Sequence, residues 1–203
     1  MSERRVKKGK QLYRKSAAAF RWLHIYLSML GFAALMFFSF TGITLNHPTW
    51  FGASEQKIED RAGQLTMSLL AEPVDKLEIA ETIRAEHLLR GRVSEFEVDE
   101  YECFVVFKGP GYAADVFVDR ESGKYTLSEI TSGPMAVMND LHKGRDSGAA
   151  WAILIDVTAV LMMLLSLSGF GLLFYLKRRR VSGTLTAVLG TVALFVVWAI
   201  WVR

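Results

Sequence analysis

Three long apolar runs, residues 20–45, 149–176 and 184–202, are set off by polar chain. Each is about as long as the ~20 residues a helix needs to cross a hydrocarbon layer about 30 Å thick. Between the first two runs the pattern changes. Residues 49–72 are polar, show little periodicity and read as a connector. Residues 74–89 carry Val74, Leu77, Ile79, Ala80, Ile83 and Leu88 close to helical spacing, and Gly91 breaks the pattern. Three runs rich in Val, Phe and Tyr follow at 93–99, 101–108 and 112–119, with Gly109-Pro110-Gly111 as the turn between the last two. A second turn at 119–123 leads to a short strand at 124–127. One helix on an antiparallel sheet of three or four strands suits a segment of this size. The expected fold class is therefore an α-helical membrane protein with three transmembrane helices and one small α+β domain inserted between the first two.

Charge orients this arrangement. Residues 1–21 hold eight basic side chains (Arg4, Arg5, Lys7, Lys8, Lys10, Arg14, Lys15 and Arg21) against Glu3 alone. The loop after the second run reads Lys177-Arg178-Arg179-Arg180, whereas residues 46–148 hold 19 acidic and 11 basic residues. Basic flanks resist translocation. The reading is a basic cytoplasmic segment 1–19, a first span 20–45, an extracytoplasmic domain with connectors 46–148, a second span 149–176, a basic cytoplasmic loop 177–183 and a third span 184–202. The bilayer accounts for the basic N-terminus, so no nucleic-acid partner is expected. The first run exceeds the 7–15 apolar residues usual in a cleaved signal and reads as a retained anchor. Trp22, Trp50, Trp151, Trp198 and Trp201 fall near span ends, where amphipathic rings prefer the interface. Pro48 stops the first helix. Cys103 is the single cysteine, which excludes an intrachain disulfide and covalent haem attachment, and it reads as a core residue.

Four histidines carry most of the candidate chemistry. His24 lies near the inner end of the first run, His47 at its outer end and His142 just before the second, while His87 falls in the soluble helix and reads as surface. From His24 to His47 is 23 residues, or about 34 Å of helix, too far for one haem to bridge. His47 and His142 can share a depth, and an imidazole pair is a common axial set for a non-covalent b-type haem. Lys143 and Arg145 would then meet the propionates. A haem at His24 would need a ligand from a partner chain or a second copy. Asp140, His142 and His47 could alternatively hold a single metal ion. A stripe of His24, Ser28, Gly31, Leu35, Phe38, Gly42 and Asn46 admits either a flat macrocycle or close helix packing. Boundary histidines equally serve as ordinary interfacial hydrogen-bonding groups. Asp156 is the one acidic residue inside a span, read as a proton- or redox-coupled site, as a group supporting an outer histidine, or as a protonated or hydrogen-bonded packing residue near the interface. No nucleophile elbow, zinc-protease helix or phosphate-cradling glycine loop is present.

The phrase Val118-Asp119-Arg120-Glu121-Ser122-Gly123-Lys124-Tyr125, following one helix and short strands, resembles a PepSY domain. With Trp22-Leu23-His24, Thr41-Gly42-Ile43, Asn139-Asp140-Leu141-His142-Lys143-Gly144-Arg145 and Ser168-Gly169 in that order, residues 20–180 resemble the PepSY-associated transmembrane proteins. Larger members of that family resemble membrane reductases of ferric siderophores and have four or more spans. The resemblance implies a haem-bearing electron-transfer component of the bacterial inner membrane that passes electrons to an extracytoplasmic acceptor, such as a ferric complex, with haem b on His47 and His142. The competing expectation is a non-enzymatic subunit whose inserted domain docks a membrane or periplasmic partner through its strand edges. A homo-oligomer fits either. Three spans without an inverted repeat argue against a monomeric transporter.

Overall fold

A computed structural model describes residues 2–203, with side chains from Lys8 onward. Met1 and the side chains of residues 2–7, part of the expected basic segment 1–19, lie outside the described residues. The elements are α1 (Ser2–Asn46), β1 (Gln56–Gln64), α2 (Lys76–His87), β2 (Arg92–Val98), β3 (Glu102–Gly109), β4 (Tyr112–Asp119), β5 (Lys124–Ser132), α3 (Pro134–Lys143), α4 (Gly148–Leu173) and α5 (Arg180–Val197), which ends in a π-helical turn at Trp198–Val202. Three helical segments, Lys8–Asn46, Gly148–Leu173 and Arg180–Val202, are long and apolar enough to cross a membrane. The chain divides into two compact units, one of residues up to Leu35 with Asp156–Arg203, the other Met36–Ile155.

The second unit contains a five-stranded antiparallel sheet in the order β1-β5-β4-β3-β2. The sequence led us to expect three or four strands. The addition is β1, which lies in the stretch read as a connector. Its sequence, Gln56-Lys57-Ile58-Glu59-Asp60-Arg61-Ala62-Gly63-Gln64, is a polar edge strand with no buried residue, so apolar alternation does not betray it. It pairs with β5 over nine residues, and β5 runs to Ser132 rather than stopping at Leu127. A β-bulge at Val93/Glu95 irregularises β2 against β3.

Helix α2 covers one sheet face. Asp75 caps its start by accepting the Glu78 N–H at 3.0 Å, and Leu88 ends it in the left-handed conformation, φ 55°. Ile79, Ala80 and Ile83 meet Cys103, Val105, Phe107, Ala114, Val116, Val118, Tyr125 and Leu127, all buried. Register places Phe107 beside Ala114 and Val105 beside Val116, so alternate residues of adjacent strands share this core. After β5, α3 is a ten-residue helix that the sequence reading did not anticipate. Pro134 occupies its first turn and Gly144 closes it at φ 67°.

In the other unit, α1 packs on α4 through small residues. Gly31 is buried against Leu161 and Met162, and Gly171 lies under the Phe20 ring. Tyr13 and Tyr175 rings meet at 5.1 Å. Of the α1 stripe, Gly31 thus serves close helix contact. Gly183 of α5 abuts Leu173.

Candidate functional site: two oriented imidazoles

Within the unit containing Met36–Ile155, α3 is bound to the end of α1. Thr44 Oγ1 donates to Asn139 Oδ1 at 2.7 Å, and Thr41 Oγ1 lies 2.5 Å from His142 Nδ1. Thr41 and Thr44 are completely buried and Asn139 nearly so. The His142 ring lies near Gly42, its Cε1 3.8 Å from where a Cβ would stand, an ordinary contact distance, and Phe38 meets the ring edge-on at 5.0 Å. Trp151 Nε1 donates to the Leu141 carbonyl at 2.8 Å, tying the start of α4 to α3. On the other side, the Gly111 N–H donates to Asp140 Oδ2 at 2.9 Å, which fastens the β3–β4 turn to α3. Gly111 has φ 64°, and a Cβ there would collide with Val137, so glycine is required twice over.

The Thr41 hydroxyl determines which nitrogen of His142 carries the proton. Thr41 Oγ1 stands 2.6 Å from the Phe37 carbonyl oxygen, a separation at which a proton must lie between the two oxygens. The only proton available there is Thr41's own. Having spent it, Thr41 accepts from His142 Nδ1–H, so the neutral ring carries its lone pair on Nε2.

The other unit repeats the device. His24 Nδ1 is 2.9 Å from Ser168 Oγ, and Ser168 Oγ donates to the Leu165 carbonyl at 2.7 Å. Ser168 is buried and His24 half-buried. Ser168 therefore accepts from Nδ1–H, so the neutral His24 ring carries its lone pair on Nε2. A glycine again lies beneath the ring, Gly169, with His24 Cε1 3.0 Å from a would-be Cβ. Thr41-Gly42 and Ser168-Gly169 were visible in the sequence as dipeptides, but nothing there paired them with His142 and His24. The signal that could have found them is a hydroxyl–glycine pair inside an apolar run.

His87 shows the opposite tautomer. Tyr125 Oη donates to Glu86 Oε2 at 2.7 Å, so His87 Nε2–H donates to Tyr125 Oη at 2.7 Å. Burial, then the Glu86 carboxylate, pushes the Tyr125 hydroxyl far above its usual range. His87, expected on the surface, is half-buried in this network.

His47 stands just past α1, stacked on Trp50 with ring centroids 3.9 Å apart and planes 9° from parallel. Nine residues beyond Phe38, it falls about half a helical turn away from the ring that meets His142. No contact joins the His47 and His142 rings among the described residues. No group of three or more His, Cys, Asp or Glu side chains gathers for a metal ion there either, so Asp140, His142 and His47 do not form a mononuclear centre. Lys143 and Arg145 are exposed at the end of α3, and Arg145 lines a cleft of about 390 Å³ with Lys108, Asp140 and Asp146. Asp156 is exposed on α4.

The family model for PepSY_TM-like proteins matches residues 18–203, which take in the sheet, the second and third apolar helices and most of the first. The chain belongs to the PepSY_TM-like family. No curated protein and no solved structure matches it. The hydroxyl–histidine pairs of this PepSY_TM-like protein all fall within the matched region.

The residues fit a haem in one respect that geometry can test. A ligating imidazole normally has its second nitrogen held by a hydrogen bond that fixes ring and tautomer. His142 and His24 each have that hold on Nδ1, which in the neutral ring leaves Nε2 as the coordinating nitrogen. Each cluster offers one such imidazole.

Proposed function

We propose that this PepSY_TM-like protein is a haem-bearing electron-transfer component of the bacterial cytoplasmic membrane. In this reading the N-terminus is cytoplasmic, residues 46–148 form an extracytoplasmic PepSY-like domain, and electrons reach an acceptor on the outer side, such as a ferric complex. The observation that carries it is the pair of histidines whose Nδ1–H is committed to a helix hydroxyl, leaving Nε2 able to coordinate iron. Bound haem would supply reversible one-electron transfer.

His142 and His24 would each hold a haem by Nε2. Thr41 and Ser168 would keep the rings from turning and hold the neutral tautomer with its proton on Nδ1. Gly169 leaves room at the His24 ring. Arg145 and Lys143 would meet propionates near His142. His47, at the end of α1, would be the chain's own candidate for a second ligand beside His142, and a partner chain or a second copy would be the alternative source at both positions.

Purified protein in mild detergent, examined by dithionite-reduced minus oxidised absorption and a pyridine haemochrome assay, tests this. The expected result is a b-type spectrum that is halved or lost in His142→Ala and in His24→Ala. A wild-type protein without haem, after expression with added haem and iron, sinks the reading.

A second reading has its own support. On the sheet face opposite α2, Phe104 and Phe117 stack at 4.6 Å, and Phe117 and Tyr101 remain 47% and 63% exposed. Exposed aromatics of this kind suit a docking surface, and the protein would then be a membrane-anchored assembly subunit. Full haem occupancy with no loss of partner capture in Phe117→Ala would argue against it.

A further inference from the structure

The unit formed by residues up to Leu35 with Asp156–Arg203 gathers cations at one end. Ring contacts join its helices there. Tyr175 lies 5.1 Å from the Tyr13 ring and 5.6 Å from the Phe20 ring, and the Tyr13 hydroxyl donates to the Tyr175 carbonyl at 3.4 Å. The basic run 177–180 starts two residues after Tyr175, so it reaches the end of α1 that carries Lys10, Arg14, Lys15 and Arg21. These side chains are all exposed, and among the described residues no carboxylate pairs with any of them. No Asp or Glu occurs from residue 4 to 54 or from 157 to 203.

Depth and shape select what can neutralise this charge. The apolar run of α1 begins at Phe20, against Tyr175. Lys15 and Arg14 lie five and six residues earlier, about 8–9 Å along the helix. The headgroup layer outside a hydrocarbon core is about 5–8 Å thick, so both cations stand near phosphate depth. With Lys10, Gln11 and Ala18 they line one recess of about 530 Å³ on α1. From Ala18 the same helix face continues through Trp22, Ile25, Met29 and Phe32, at intervals of four, three, four and three. That apolar stripe is exposed and lies away from the side of α1 that uses Tyr13, Phe20 and Gly31 against α4 and its end. Lys10 and Arg14 repel at i,i+4 spacing, and Arg179 and Arg180 stand at the start of α5, where the helix dipole disfavours cations. An anion brought to this end relieves both costs.

We propose that this end of the unit binds an anionic phospholipid, its phosphate held among Lys10, Arg14 and Lys15 and its acyl chains laid along Trp22, Ile25, Met29 and Phe32. The run 177–180 adds positive field beside it. The occupant has to be negative at one end and apolar below, in the order the helix face presents. A soluble phosphate would match the cations and leave the stripe bare. The proposal rests on the reading that α1, α4 and α5 cross a bilayer, and it is independent of haem.

The test takes the full chain in mild detergent, stripped of lipid, and titrates it with phosphatidylglycerol or with zwitterionic phosphatidylcholine. Bound lipid is counted by native mass spectrometry. Phosphatidylglycerol should bind about tenfold or more tightly than phosphatidylcholine, and each cation removed from the recess should weaken it about fivefold at low salt. Lys10→Gln/Arg14→Gln/Lys15→Gln should therefore lose the preference, and Arg203→Gln, at the far end of α5, should keep it. Equal binding of the two lipids, or an unchanged preference in the triple variant, overturns the proposal. Displacement of phosphatidylglycerol by an equal concentration of inorganic phosphate would make free phosphate the ligand and overturns the lipid assignment. Arg14→Gln and Lys15→Gln as single changes keep the test decisive should the triple variant fail to accumulate. The titration reads lipid alone, so a protein that binds no haem can still pass it.

Discussion

The sheet and the long helices bury opposite kinds of residue. Among the described residues, every buried large hydrophobic side chain belongs to residues 65–127, from Leu65 to Leu127. The buried polar side chains, Thr41, Thr44, Asn139 and Ser168, all belong to α1, α3 and α4. Conversely, the helices expose Leu30, Phe32 and Leu167 at 74%, 57% and 66%. In water, apolar area is what must be hidden, at about 25 cal/mol per Å². In hydrocarbon, leucine gains little by leaving the lipid, and the groups that need protein partners are hydroxyls, amides and imidazoles. The helices are thus held by a few polar contacts and small-residue packing, and the sheet by a dry core.

The largest effect that would break this contrast lies in that core. Phe107, with no exposure, should cost about 3–5 kcal/mol when cut to alanine, and Leu30→Ala should cost less than about 0.5 kcal/mol. Limited proteolysis and thermal unfolding in detergent would check both. Comparable effects at the two positions would remove the contrast altogether.

Next come the polar contacts. Thr41→Val and Ser168→Ala remove the acceptors that orient His142 and His24. Each should weaken haem affinity by about 10–100-fold while leaving proteolytic resistance of the sheet unchanged. Haem titration of the apoprotein, followed in the Soret band, measures it. A variant that loses the sheet instead would show that these contacts hold the fold and not a ligand site.

A smaller effect belongs to the sheet's edge. Hydrogen bonds from Lys57 and then Arg61 hold the Glu59 carboxyl down, from 4.5 to about 2. A lowered folded value means that the ion-paired carboxylate stabilises above its ordinary titration and ceases to do so as pH falls from about 4.5 to about 2. Glu59→Gln should therefore be slightly less stable than the wild type near neutrality, by a margin that vanishes towards pH 2 and shrinks with salt. Melting curves across that window read it out. The smallest expectation concerns Cys103, which is fully buried and whose thiol burial pushes up. It should resist alkylation until the sheet unfolds.

How much of this was legible depends on which force made each element. Run length alone revealed the three apolar helices, because hydropathy over ~20 residues is a cumulative signal. Strands β2–β4 showed through their Val, Phe and Tyr alternation. β1 did not, because an edge strand with no buried residue leaves no apolar period to read, and its pairing is a backbone matter decided by β5. α3 is short, and its sequence Pro134-Met135-Ala136-Val137-Met138-Asn139-Asp140-Leu141-His142-Lys143 gives up its role only when Asn139 and His142 are seen against α1. His24 and His142 were noticed as histidines. That each would be held at Nδ1 was invisible, since their acceptors lie 144 and 101 residues away.

By itself the sequence determined the membrane-compatible helices, the β-rich insert with its core helix, and the segregation of charge. These are sums over neighbouring residues, and chain-local patterns carry them in full. Only the tertiary structure decided the fifth strand and the hydrogen-bond partners of three histidines. Those depend on which atoms meet across a hundred residues, where one shared proton or one missing Cβ settles the outcome.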